Sequence, residues 1–139
     1  MFLKYAFLAD SVSFDAAGKL SAMGIFDVIY TRQFPTLHRD MALVIVVEGD
    51  ISEKGDHKLE VELRDDKSNK LAGFDQSIAL SPTRLTKTTF RAQLITKLQD
   101  MPFPSPGQYE FVFFINGRFL GRVVFALQKM QIKSSPGET

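Results

Sequence analysis

Apolar residues that recur at every second position, in short runs separated by turn chemistry, constrain this chain more than any other feature. The clearest run is Lys58–Arg64, where Leu59, Val61 and Leu63 point one way and Lys58, Glu60, Glu62 and Arg64 the other. A strand with one face in a core and one in water reads this way. Similar runs fall at Lys4–Phe14, Lys19–Tyr30, Met41–Glu48, Leu71–Leu80, Thr88–Ile95, Tyr109–Ile115 and Phe119–Leu127. Between them lie Asp15-Ala16-Ala17-Gly18, a loop at Arg32–Asp40 holding Phe34-Pro35, a polar loop at Gly49–Asp56, Asp65–Asn69, Ser81-Pro82-Thr83 and a three-proline loop at Gln99–Gly107. About eight strands at this spacing predict an all-β fold, an antiparallel β-sandwich of immunoglobulin-like or related Greek-key topology. No stretch sustains a helical period. Residues 1–130 read as one domain and 131–139 as a flexible C-terminal tail.

The length of 139 residues suits one domain with its own core. Thirteen Phe and no Trp favour pleated, half-buried surfaces. A net charge of +1 gives no field to steer a polyanion, which argues against nucleic acid as a partner. Ser81–Leu98 carries Arg84, Lys87, Arg91 and Lys97 without an acid and reads as a solvated strand face. The chain has no cysteine, which excludes disulfides, thiolate nucleophiles and Cys-ligated metals. Met1–Asp10 makes a poor secretory signal, because Lys4 breaks its apolar stretch and no small-residue cleavage site follows. No window is long and apolar enough for a membrane helix. The expected compartment is the cytoplasm, with no membrane partner.

Asn116-Gly117 marks the turn of the last hairpin. A two-residue loop carried straight through would pair Phe111 with Arg122 and place Arg118 and Arg122 on the face of Tyr109, Phe111 and Phe113. A three-residue loop with Gly117 in a bulge instead sets Phe113 against Phe119, Phe111 against Gly121 and Tyr109 against Val123, with Phe125 and Leu127 continuing that face. Glu110 then meets Arg122, Val112 meets Leu120, and Phe114 meets Arg118 in a cation–π contact. A one-residue slip exchanges faces, so the bulged register is preferred. Tyr109, two residues before core Phe111, fits the tyrosine corner of immunoglobulin-like sandwiches; an ordinary core tyrosine fits equally well.

Two runs do not alternate. Met41, Leu43, Ile45 and Val47 lie on one side of their strand, and Ala42, Val44 and Val46 on the other. Leu20–Tyr30, with Gly24 as a bulge position, is also apolar on both sides. Apolar residues on both faces mean burial on both faces. The second face is covered either by a flanking segment, such as Arg32–Asp40, or by another chain.

Catalytic and metal-binding patterns are missing. His38 and His57, the only histidines, read as surface residues in polar loops. Asp65-Asp66 lacks the spaced ligands of a calcium loop. There is no phosphate-cradling glycine motif, no G-x-S-x-G and no H-E-x-x-H, and His38-Arg39-Asp40 lacks the rest of a kinase set. No cofactor is expected.

At Leu8-Ala9-Asp10, Gly18-Lys19-Leu20, Gly24-Ile25-Phe26, Phe34-Pro35 and Pro106-Gly107-Gln108-Tyr109-Glu110-Phe111, the chain resembles a family of small uncharacterised bacterial proteins. The resemblance covers Leu3 to about Leu127. It implies a bacterial cytoplasmic origin and carries over no functional residue.

The functional expectation is a non-catalytic interaction or assembly module that self-associates as a homo-oligomer, in the simplest case a dimer, or binds an unidentified protein. Its candidate surface is Val112, Phe114, Leu120 and Val124 together with Ala42, Val44 and Val46. The alternative is a small-molecule or glycan-binding sandwich using loops 32–40 and 99–107.

Overall fold

The computed structural model describes residues 1–131 except 54 and 81, with the backbone alone at 83 and 84. The tail expected at 131–139 lies, apart from Gln131, outside the described residues. The strands are β1 (Phe2–Phe14), β2 (Leu20–Phe26), β3 (Val28–Thr31), β4 (Thr36–Asp50), β5 (Asp56–Asp65), β6 (Lys70–Ala79), β7 (Pro82–Leu85), β8 (Thr89–Phe103), β9 (Gly107–Ile115) and β10 (Arg118–Lys129). The expected second strand divides at Asp27, and Pro82–Leu85 adds a short strand, so the ladder exceeds the eight runs read from the pattern.

Two five-stranded sheets form. The first has the order β2-β1-β4-β8-β7 and is antiparallel; the second, β3-β10-β9-β5-β6, is mixed, because β3 runs parallel to β10. The expectation of a wholly antiparallel sandwich is therefore corrected. The chain leaves the first sheet after β2, crosses at Asp27 and joins the edge of the second, where the crossing direction sets β3 alongside β10 rather than against it.

The core lies between the sheets. The first contributes Leu8, Met41, Leu43, Ile45, Val47, Phe90, Leu94 and Leu98, and the second Leu59, Val61, Leu63, Phe111, Phe113 and Phe125. Phe103 stands edge-on to Tyr109 at 5.0 Å and to Phe125 at 5.8 Å, while Phe111 stacks on Phe125 at 5.2 Å. Such offset and edge-on pairs satisfy the ring quadrupoles while burying large apolar area.

Segments 36–40 and 99–103, expected as loops, are strand. Thr36 pairs with Phe103, His38 with Met101 and Asp40 with Gln99, extending the β4–β8 ladder. At Asp100 the backbone turns left-handed (φ 52). Side-chain alternation inverts there: Leu94 and Leu98 face the core before it, and Met101 and Phe103 after it. His38 is consequently half-buried beside Phe26, ring centroids 6.3 Å apart, rather than on a surface loop. His57 is also half-buried. Its Nε2–H donates to the Glu53 carbonyl (2.5 Å), and its Nδ1 accepts from the Asn116 side-chain amide (2.8 Å).

The last hairpin corrects the expected register. Ile115 pairs with Arg118, so the loop is Asn116-Gly117 alone, with φ of 51° and 79°. Both central residues left-handed is the two-residue hairpin turn whose twist matches its strands. The irregularity comes later, between Phe119 and Gly121, and Leu120 is the extra residue. Beyond it Gly121 pairs with Phe113, Val123 with Phe111 and Phe125 with Tyr109. The pairing is displaced by two residues from the expected one. Because two is the side-chain period, the residues from Gly121 onward keep their expected faces, whereas before the bulge the faces are exchanged: Phe119 is exposed beside Phe114 and Leu120 turns to the core.

Candidate functional site

The seven residues singled out in the sequence fall on opposite sides of the molecule. Val112, Phe114 and Val124 lie on the outer face of the second sheet, and Ala42, Val44 and Val46 on the outer face of the first. Leu120, the bulged residue, packs against the core instead.

The outer face of the second sheet is charged. Val112 is flanked by Glu62 on β5 and Arg122 on β10, and is 3% exposed. Glu62 pairs with Arg64 (2.8 Å) and with Lys70 (3.9 Å), and Glu110 with Arg122 (3.5 Å). Arg64, not the expected Arg118, lies over the Phe114 ring at 5.9 Å. Long charged side chains thus lay their aliphatic stems over the apolar centre and keep their heads in water.

The outer face of the first sheet is different. Cross-strand pairing builds it in rows. Glu48 with Arg91 forms a charged row at one end. Next come Tyr5–Val46–Gln93, Phe7–Val44–Ile95 and Ile25–Ala9–Ala42–Lys97. Tyr5 and Phe7 stack at 6.3 Å with 14° between their planes. Glu48 accepts from Arg91 Nε (2.9 Å) and Nη2 (2.6 Å), with Lys4 Nζ at 3.4 Å. These cations hold the Glu48 carboxyl below the usual carboxylate range, the Arg91 hydrogen bonds contributing most.

Ala42 is 3% exposed and Val44 and Val46 are fully buried, although they point away from the core. Their cover is the distal part of the β1–β2 hairpin, not Arg32–Asp40. β1 leaves β4 after the Ala9–Ala42 pair, and β2 pairs only with β1 among the described residues. The freed hairpin leans back over the sheet. Ala17, Gly18, Lys19, Leu20 and Ala22 share a concavity of about 550 Å³ with Tyr5, Phe7 and Gln93. Ser11 and Val12 share another of about 270 Å³ with Ala42 and Lys97. Gln93 Oε1 is buried there without a hydrogen-bond partner among the described residues.

The bend is at Gly24. Its φ is +67°, yet the hairpin keeps one register on both sides of it, Ile25 opposite Ala9 and Met23 opposite Ser11, so Gly24 is not a bulge. Beyond it the hairpin exposes apolar residues on both faces, Met23 on one and Phe14, opposite Leu20, on the other. Five of the eleven large hydrophobic residues exposed among the described residues belong to β1 and β2: Phe2, Tyr5, Phe14, Met23 (71%) and Ile25 (63%). The sequence pattern gives no sign of this exposure, because Phe14, Met23 and Ile25 look like ordinary strand positions. Their place at an edge with a single partner strand leaves them in water.

No group of three or more His, Asp or Glu is arranged to hold a metal ion among the described residues, and no helix among them is long and apolar enough to cross a membrane.

A model of a family of unknown function (DUF6941) matches residues 4–128. No curated protein matches the chain. Among solved structures, the chain is similar to an alkylpurine DNA glycosylase, AlkC, of Pseudomonas fluorescens bound to DNA containing an abasic site analog, at 17% identity and TM-score 0.42, over 73% of this chain and 27% of that one. It is also similar to a putative beta-galactosidase from Bacteroides fragilis, at 17% identity and TM-score 0.36, over 66% of this chain and 15% of that one. A glycosyl hydrolase family 2 member from Bacteroides cellulosilyticus gives 11% identity and TM-score 0.36, over 78% of this chain and 17% of that one. The chain thus spans 27% or less of the length of each.

Proposed function

The chain belongs to DUF6941, a family of unknown function, and from its geometry we propose that it is a non-catalytic assembly module that self-associates through the outer side of its first sheet. One observation carries this reading: exposed Tyr5, Phe14, Met23 and Ile25 all sit on the β1–β2 hairpin and the sheet face beneath it, whereas on the opposite side exposed Phe119 and Val124 stand among the ion pairs of Glu62 with Arg64 and Lys70 and of Glu110 with Arg122. Clustered exposed apolar side chains rimmed by charge mark association surfaces. Ile25 and Met23 are exposed enough for a lysine there to leave the core intact.

We read the topology as immunoglobulin-like. The order β1-β4-β8-β7 follows strands A-B-E-D of that fold, and β10-β9-β5-β6 follows G-F-C-C′. Tyr109 supports the same reading: its hydroxyl donates to the Ser105 carbonyl at 2.5 Å and accepts from the Ser105 N–H at 3.3 Å, at the start of the F-equivalent strand. β2 and β3 are additions, and β2 is what extends the association surface.

Light scattering across a concentration series tests the function. The expected result is a mass that rises from the 15.6 kDa monomer to twice that value in the parent chain and stays monomeric in Ile25→Lys/Met23→Lys. A parent chain that is monomeric at every concentration, or a double variant that associates equally well, overturns the reading.

A further inference from the structure

We propose that the distal β1–β2 hairpin, residues 10–24, is an exchangeable arm: it covers the outer face of its own first sheet in the monomer and the same face of a second copy in the assembled form. This rests on the self-association proposed above and names its occupant. The second copy fits because its arm has the sequence that already lies on this face, so the packing given up when one arm opens is rebuilt by the other.

Three features make the arm separable. First, among the described residues no backbone ladder ties it to the body. The β1–β4 pairing ends at Ala9–Ala42, and the arm's remaining hydrogen bonds run between its own two strands, from Ser11–Met23 to Phe14–Leu20. It can swing as an intact hairpin. Second, the bend is localised where the arm begins. Gly24 holds a left-handed φ of +67°, and the Asp10 carboxyl fills the place a Cβ would take, its Cγ 2.9 Å away. Few torsions need to change for the arm to straighten. Third, the arm is shallowly seated. Of residues 10–24 only Val12, Leu20 and Ala22 are half-buried, and the rest are exposed. Hydrophobic stabilisation scales with the apolar area removed from water, so three half-buried side chains hold the arm weakly.

The residues beneath the arm explain why it must cover something. Ala42, Val44 and Val46 would be in water if it left without replacement, and a second arm restores their cover. Exchange in both directions gives a closed two-fold dimer, with Met23 and Ile25 beside the Asp10–Gly24 hinge where the arms cross.

The test uses the absence of cysteine from the chain. Leu20→Cys and Gln93→Cys are made singly and together, one single variant carrying a size tag. The double variant is expected to be bridged within one chain by a bis-maleimide crosslinker at low concentration, since the two positions line one concavity from opposite sides. The two single variants, unfolded together, refolded and treated with the same crosslinker, are expected to give a hetero-linked dimer on a denaturing gel. Val12→Cys with Lys97→Cys probes the other concavity in the same way and serves if the first pair disturbs folding, as checked by circular dichroism. Arm exchange is overturned if the double variants close within one chain while the mixed single variants yield no hetero-linked dimer. It is also overturned if neither double variant closes, since the arm then does not lie on the face. A parent chain that dimerises by light scattering without hetero-linking retains the assembly reading and loses only the arm. A parent chain that never dimerises loses both.

Discussion

The Asp10 carboxyl occupies the space that a side chain on Gly24 would need, directly across the β1–β2 hairpin from it. Asp10 is exposed, so its side chain can swing aside. The left-handed backbone at Gly24 cannot be relieved so easily, and an L-residue there costs about 1–2 kcal/mol. Gly24→Ala is therefore expected to lower stability by about that amount in urea unfolding, and adding Asp10→Ala is expected to recover little of it. Full recovery in the double variant would place the strain in the side-chain contact instead.

Leu3 and Gly121 form a second such pair, this time joining the sheets. A Cβ on Gly121 would overlap Leu3 Cδ2 and would stand 3.2 Å from Phe113 Cε2. The irregularity between Leu3 and Tyr5 in β1 turns Leu3 inward, and the bulge at Leu120 brings Gly121 beneath it. Gly121→Ala is expected to cost about 1–3 kcal/mol through overpacking. In a double-mutant cycle with Leu3→Ala the two changes should be strongly non-additive, since trimming Leu3 frees the space. Additive losses would show that Phe113 sets the limit.

These two glycines also show where the sequence is legible and where it is not. Side-chain parity can be read: the alternation puts Tyr109, Phe111, Phe113, Phe125 and Leu127 on one face, and all are buried on it. Register cannot, because the bulge at Leu120 follows from the fit of Leu3 against Gly121, a contact 118 residues apart along the chain. The both-sided burial of Ala42, Val44 and Val46 is legible as apolar residues at consecutive positions. What covers them is not, since Val12, Leu20 and Ala22 look like any alternating strand until the bend at Gly24 is known. Segments 36–40 and 99–103 look like loops for a related reason. Arg39, Asp40 and Gln99 are exposed on this part of the β4–β8 ladder and interrupt the alternation that marks buried strands.

Tyr109 closes the corner before β9 through its hydroxyl, which donates to the Ser105 carbonyl and accepts from the Ser105 N–H. The ring itself is buried against Phe103 and Phe125, at 5.0 and 6.1 Å. Tyr109→Phe keeps that packing and removes only the hydrogen bonds, so it is expected to cost about 0.5–1.5 kcal/mol. Tyr109→Ala should cost several times more, because it also empties the aromatic cluster. Urea midpoints of the two variants separate the terms, and equal losses would show that the hydroxyl carries nearly all of the effect.

Glu48 and Arg91 face each other across β4 and β8 at the charged end of the outer sheet face. The Arg91 hydrogen bonds, aided by Lys4, hold the Glu48 carboxyl below its ordinary value despite an opposing contribution from burial. A carboxyl whose pKa is lower folded than unfolded stabilises the fold above the unfolded value, about 4.3 for Glu, and that contribution is lost as pH falls through the lowered folded value. Asp50, Glu53 and Asp65 are lowered as well and act in the same direction, so the Glu48 share must be read as a difference between variants. Arg91→Met is expected to flatten the rise in urea midpoint between about pH 2 and 6 relative to the parent chain, with the two curves drawing together at the acid end, where Glu48 is neutral in both. Glu48→Gln should flatten it in the same range. A parent-minus-variant difference that stays constant across this range would show that Arg91 acts through packing on the sheet face and not through the Glu48 charge.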